Sequence, residues 1–217
     1  MDKKNKTVFF SGAGLLAAFV LWTVCVRFVD VGAIGPQGTS VGFAALNGSV
    51  HSFTGVNMSL YVITDWLGLV PVGVAFGFAV LGLAQWIKRK SILRVDRSIL
   101  VLGGFYVAVM AAYFLFEMVV INYRPTLIDG YLEASYPSST TMLVMCVMPT
   151  AMMQLRTRVK NAVFRRSLMI VIGAFIAFMV VGRLVSGVHW VTDIIGGALV
   201  SIGLVLIYRA IVGSEVG

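Results

Sequence analysis

Six apolar stretches, each close to the length needed to cross a lipid bilayer, restrict the fold of this chain more than any other feature. A hydrocarbon core about 30 Å thick is crossed by about 20 helical residues. The stretches lie at about 8–29, 60–87, 98–121, 139–155, 167–185 and 190–212. Hydrocarbon offers the backbone no hydrogen-bond partner, so each stretch has to satisfy its own N–H and C=O groups as a helix. Of the 217 residues, 59% are hydrophobic and 12% charged, against about 25% charged in an average soluble domain. A soluble core of this length has no room for so much apolar surface, and a disordered chain would be rich in charge instead. The expected fold is all-α and polytopic: a six-transmembrane helical bundle in which residues 1–217 form a single integral membrane domain. Cys25 and Cys146 both fall inside apolar runs and are expected to be buried small hydrophobes rather than a disulfide or a metal site.

The charges orient the bundle. Lys3, Lys4 and Lys6 precede the first stretch, five basic residues lie between the second and third, five between the fourth and fifth, and Arg209 closes the sixth. These are 14 of the 17 basic residues, and by the positive-inside rule their side is cytoplasmic, with both termini inside. Asp2, Asp96 and Glu215 fall on the same side. The outer side carries Arg27, Arg124 and Arg183 with Asp30, Asp65, Glu117, Asp129, Glu133 and Asp193, and both histidines, His51 and His189. The net +8 is therefore +11 inside and −3 outside. It reads as an orientation signal, not as affinity for nucleic acid. The first stretch follows a lysine cluster as a signal peptide would, but its apolar run exceeds a signal core of about 7–15 residues. It is expected to remain as an uncleaved first span.

The connections are short. Residues 30–57 form the longest outer segment, with a short interfacial helix expected around Ser40–Val50. The second outer loop, about 122–138, carries Arg124-Pro125, Asp129-Gly130 and Tyr136-Pro137. The third is little more than Ser186–His189. No fixed-period repeat or interdomain linker interrupts the chain.

Ionisable groups at membrane depth are costly and mark candidate functional sites. The sharpest group runs from Gly182-Arg183 through Gly187 and His189 to Asp193. Four residues apart at the start of the last helix, His189 and Asp193 share a face. A carboxylate there fixes the imidazole tautomer and leaves the other ring nitrogen free to attack. The same pair can also simply cap an interfacial helix. Arg183, Gly187 and the second loop, taken together, favour the chemical reading. In that loop the fork of Arg124 suits phosphate oxygens. Ser138, Ser139 and Thr140 open the fourth helix, where such residues cap a helix or aim hydroxyls and N–H groups at an anion.

In this order the three pieces resemble the type 2 phosphatidic acid phosphatase superfamily of membrane lipid phosphatases, which includes undecaprenyl-diphosphate phosphatases. Its pattern is K-x6-R-P, then P-S-G-H, then S-R-x5-H-x3-D. The third motif matches at Arg183, His189 and Asp193, with Gly182 for the Ser. The first gives Arg124-Pro125 with Glu117 at the Lys position, and the second gives Pro137-Ser138-Ser139 with Thr140 at the His position. The resemblance implies a membrane phosphatase acting on a lipid phosphate or prenyl diphosphate at the outer face of the cell membrane. His189 would be the nucleophile, oriented by Asp193, and would pass through a phosphohistidine. Arg124, Arg183 and the Ser138–Thr140 segment would bind the phosphoryl oxygens. It implies no metal and no cofactor, and no partner other than the lipid substrate and the surrounding membrane lipids; oligomeric state is not specified. Without the motif histidine, which serves the family as general acid, a diphosphate with its good leaving group is the expected substrate. Glu117 is expected to pair with Arg124 or Arg183, or to be held neutral by burial as the missing acid, with His51 as another proton source. A lipid-phosphate-binding relative without full activity and a lipid-linked phosphotransferase are the alternatives.

Overall fold

A computed structural model describes residues 2–213; Glu215, assigned to the cytoplasmic side from sequence, lies outside them. The fold is all-helical, as expected. Eight α-helices follow in order: α1 Lys3–Phe28, α2 Ala44–Thr54, α3 Met58–Leu67, α4 Leu69–Arg89, α5 Arg97–Met118, α6 Ser139–Arg158, α7 Ala162–Val185 and α8 Val191–Val212. Local chemistry sets several of the ends. Asp2 accepts the Asn5 N–H at 2.7 Å and starts α1 before its apolar run. Asn161 caps α7 in the same way, and the helix begins at Ala162, five residues ahead of the expected start. The expected second span is two helices joined at Gly68, because Pro71 has no N–H to bond Leu67. The interfacial helix begins at Ala44, since Val41 first pairs with Gly32 in an extended bridge and Asp30 then accepts the Ala45 N–H.

Among the described residues five segments suffice by length and composition to cross a membrane: α1, α3 with α4, α5, α7 and α8. The remaining expected span is α6, which has 20 residues but buries Thr141, Thr150 and Gln154. It packs against protein along much of its length, so its sequence is less apolar than its neighbours'. Outward-facing Leu21, Phe76, Val107 and Ile170 are each more than 60% exposed, as lipid-facing positions would be. Cys146 is fully buried, whereas Cys25 on α1 is only partly so.

The core is built around α8. It lies against α1 where Gly12 and Gly203 face each other: a Cβ on Gly12 would stand 2.8 Å from the Gly203 carbonyl. Small residues let helix backbones approach this closely in membranes. Farther along, Gly196 leaves space for the Tyr136 ring, which stacks on Phe19 and shares a 2.7 Å hydrogen bond with Thr23. This contact seats the loop that opens α6 directly on the first turns of α8.

Candidate active site

The loop between α5 and α6 is a small hairpin. The Arg124 N–H donates to the Glu133 carbonyl and the Ser135 N–H to the Asn122 carbonyl, both at 3.0 Å. Asp129-Gly130 turns it with positive φ at both residues, as a tight hairpin turn requires. The ladder places Arg124 and Ser135 next to each other above α8. Trp190 holds the loop from below, its indole N–H donating to the Tyr123 carbonyl at 2.8 Å.

The third motif is split between the end of α7, a turn and the start of α8. Gly187 sits at φ +68°, and a Cβ there would stand 1.8 Å from the Gly55 carbonyl, so no other residue fits. Asp193 is the third residue of α8 and accepts the Trp190 N–H at 2.9 Å. It therefore caps the helix and also faces His189.

His189 (3% exposed), Arg183 (1%) and Arg124 (9%) converge at one buried place. The two ring nitrogens of His189 meet different chemistry. Nδ1 lies 3.5 Å from the Ser135 hydroxyl and 3.7 Å from the Asp193 carboxylate. Nε2 lies 3.5 Å from the Arg124 guanidinium. The direct imidazole–carboxylate hydrogen bond expected from the spacing is thus replaced by a wider approach, with Ser135 donating to the same carboxylate oxygen. Asn122 sits beside that carboxylate, but its amide makes no hydrogen bond of normal geometry.

Burial, followed by the positive charges of Arg124 and Arg183, holds the His189 imidazole well below its ordinary value, so the ring is neutral at pH 7. Among the described residues no group of three or more His, Cys, Asp or Glu could hold a metal ion.

Several expected roles change. Glu117 is exposed; Arg124 pairs with Glu133 at 3.0 Å and Arg183 with Asp65 at 3.5 Å. Glu117 is thus neither their counter-ion nor buried, and it lies one helical turn from Tyr113 on α5. Ser138 is spent on structure: its N–H donates to the Asp193 carbonyl at 3.1 Å and its hydroxyl caps α6. Ser139 and Thr140 line a groove of about 410 Å³ with Asp65 and Tyr113. His51, partly buried on α2, packs edge-on against Trp190, and burial lowers its pKa. The sequence reading missed Ser135, Glu133, Asp65 and Tyr61. The first two flank the second motif across a hairpin ladder that no side-chain pattern announces. The other two come from a helix more than 50 residues away in sequence, although Asp65, like Glu133, was already an ionisable group placed on the same side.

Residues 119–215 match the model of the PAP2 superfamily, a segment that holds the second loop and the whole third motif but not Glu117. No curated protein matches the chain. Among solved structures, the first transmembrane PAP2 type phosphatidylglycerolphosphate phosphatase from Bacillus subtilis shares the fold. The TM-score is 0.51 at 19% identity, over 92% of this chain and 93% of that one. The segment that matches the PAP2 superfamily carries Arg124, Arg183, His189 and Asp193, and over nearly its full length the chain has a helical fold similar to that of the transmembrane PAP2 type phosphatase.

Proposed function

We propose that this protein is a membrane lipid phosphatase that works through a phosphohistidine at His189 and prefers a diphosphate. The observation that carries the reading is the opposed environment of the His189 ring, with Ser135 and Asp193 at Nδ1 and the Arg124 guanidinium at Nε2. A proton held on Nδ1 by the Ser135–Asp193 side leaves the Nε2 lone pair facing the place where a cationic fork would hold phosphate oxygens. Nε2 attacks the terminal phosphorus, the bridging P–O bond breaks and the lipid monophosphate leaves. Water then attacks the phosphohistidine, releasing inorganic phosphate and restoring the neutral ring. Arg124 and Arg183 neutralise the equatorial oxygens, which is most of what phosphoryl transfer asks of a protein.

The substrate preference follows from the leaving group. A general acid is typically worth about 10²–10⁴-fold, and Thr140 occupies the position where the resemblance has that acid. A lipid alkoxide, comparable to hydroxide from water of pKa about 15.7, needs such a proton. A phosphate leaving group with a second pKa of about 6 does not. In the same reading the chain is a single integral domain of six spans, with α6 as the fourth, cytoplasmic termini, and a site open to the extracytoplasmic side of the cell membrane. The clustering of the 88–97 and 156–166 basic segments at the opposite end supports this orientation, as in the Arg158–Asp96 pair.

The test is phosphate release by the detergent-purified protein from a prenyl diphosphate and from a lipid monophosphate, with His189→Ala as control. Release is expected to be faster from the diphosphate and lost in the variant. Faster release from the monophosphate would overturn the preference. Release from neither, with lipid phosphate still bound, would make the protein a binding relative.

A further inference from the structure

The two arginines share a partner that no motif contains. α3 lies outside the matched segment, yet Tyr61, Thr64 and Asp65 present one face of it to the site. The Arg183 guanidinium carbon stands 4.9 Å from the centre of the Tyr61 ring, and that of Arg124 stands 5.7 Å from the same centre. Arg183 also donates to the Thr64 hydroxyl at 3.4 Å and lies 3.5 Å from the Asp65 carboxylate. Its other contacts leave the buried Nε without a hydrogen-bond partner.

α3 and the turn that leads into it are docked on the third motif at three successive points. The Gly55 carbonyl fills the space beside Gly187, and the Asn57 N–H donates to the Ser186 carbonyl at 2.9 Å. The third point is Gly182, where a Cβ would stand 2.8 Å from the Thr64 methyl. Gly182 is the position at which the third motif departs from its pattern. The missing side chain is what allows α3 to lie this close to Arg183. Two guanidinium groups repel each other, and Asp65 and Glu133, their acidic partners, have side chains 56% and 43% exposed to solvent. An aromatic face carries negative charge density and draws cations toward it.

We infer that Tyr61 is a positioning residue of the phosphate site, its ring serving as the shared platform that holds the Arg124 and Arg183 guanidinium groups side by side. The inference rests on the proposed role of these arginines as phosphate ligands. The platform acts through the ring and not through the hydroxyl, so the site keeps its anion affinity when the hydroxyl alone is removed.

Orthovanadate, a phosphate mimic, is the probe, titrated calorimetrically into the full-length protein in detergent beside KM and kcat for the diphosphate. Tyr61→Phe is expected to stay within about twofold of wild type. Tyr61→Leu is expected to raise the vanadate Kd and KM about tenfold, the scale of one partly desolvated cation–π contact, with a smaller change in kcat. Phenylalanines of increasing fluorination at position 61 keep the shape while draining the ring's negative face, and the Kd is expected to rise step by step along the series. A flat series, a Tyr61→Leu variant that binds like wild type, or a Tyr61→Phe variant as weak as Tyr61→Leu would each overturn the platform. Arg183→Ala separates the two levels. If it leaves vanadate binding intact, the phosphate-site reading itself fails; if it abolishes binding while position 61 has no effect, only the role of Tyr61 fails.

Discussion

Two buried polar clusters sit at opposite ends of α6 and α8, and they are finished to different degrees. At the inner end Gln154 is fully enclosed and fully used. Its amide nitrogen donates to the Tyr208 hydroxyl at 2.6 Å and the Ser98 carbonyl at 3.3 Å, and its amide oxygen accepts from Arg158 at 3.0 Å. Arg158 continues to Asp96, which also accepts from Gln85 and Arg89. At the outer end Arg183 Nε, Asp193 Oδ1 and Asn122 Nδ2 are buried with no hydrogen-bond partner, and the contacts of His189 are all 3.5 Å or longer. Buried polar groups are normally satisfied, and the exceptions need a reason. The inner cluster fixes how the helices pack. In the proposed reading the outer one is left open for a ligand whose oxygens accept from Arg183 Nε and Asn122 Nδ2.

Arg183→Ala breaks the outer cluster and is expected to have the largest effect. Loss of one preorganised donor to a developing oxyanion costs about 10²–10³ in rate. Arg183 also contacts Tyr61, Thr64 and Asp65, so kcat/KM for the diphosphate should fall by at least that much. The melting temperature should change little or rise, because an incompletely paired buried charge is removed. A variant that unfolds but keeps kcat/KM would make Arg183 a structural residue and erase the contrast between the two ends.

Gln154→Leu does the reverse. It is similar in size and removes the Gln154 hydrogen bonds to the Tyr208 hydroxyl, the Ser98 carbonyl and Arg158, a loss of about 1–3 kcal/mol. Thermal unfolding in detergent should show that destabilisation, while kcat/KM per folded molecule stays near wild type. Equal damage to activity would mean that the inner network also tunes the site.

The helices were legible because hydrocarbon leaves the backbone one solution, and that solution writes long apolar runs into the chain. The identity of the outer cluster was legible where its members are close in sequence: Arg183, His189 and Asp193 fall within 11 residues across a single turn. Partners assembled by tertiary approach were not. Glu117 was assigned to the arginines because charge and side matched, but it is exposed on α5, while the hairpin ladder presents Glu133 to Arg124 and the docked α3 presents Asp65 to Arg183. Ser138 read as a phosphate donor because a helix cap and an anion site use the same residues. Only the structure shows its hydroxyl accepting from the Thr141 N–H and its own N–H donating to the Asp193 carbonyl.

The smallest expected effect concerns pH, and it separates the two ends by the form each keeps. Burial alone would raise the Asp96 pKa, but the hydrogen bonds from Gln85, Arg89 and Arg158 outweigh it and hold the group below its ordinary value, charged. At His189 burial and the two arginines act in the same direction, and the ring is held neutral. An unfolded histidine titrates near pH 6.5. As pH falls from about 6.5 toward the lower folded value, the unfolded chain takes up a proton that the folded chain refuses, so this contribution to stability is lost progressively. Activity behaves differently over the same window. In the proposed mechanism the nucleophile stays neutral, so the acid limb of kcat/KM should lie below pH 6.5, and the rate at pH 6 should remain near its pH 7 level. A free histidine would already have lost several-fold. The melting temperature of wild type should meanwhile fall between pH 7 and 5.5 by more than that of His189→Asn, which has no proton to take up. An acid limb at or above 6.5 would mean that the arginines do not press on the ring when the substrate arrives, and that the outer cluster is looser in turnover than at rest.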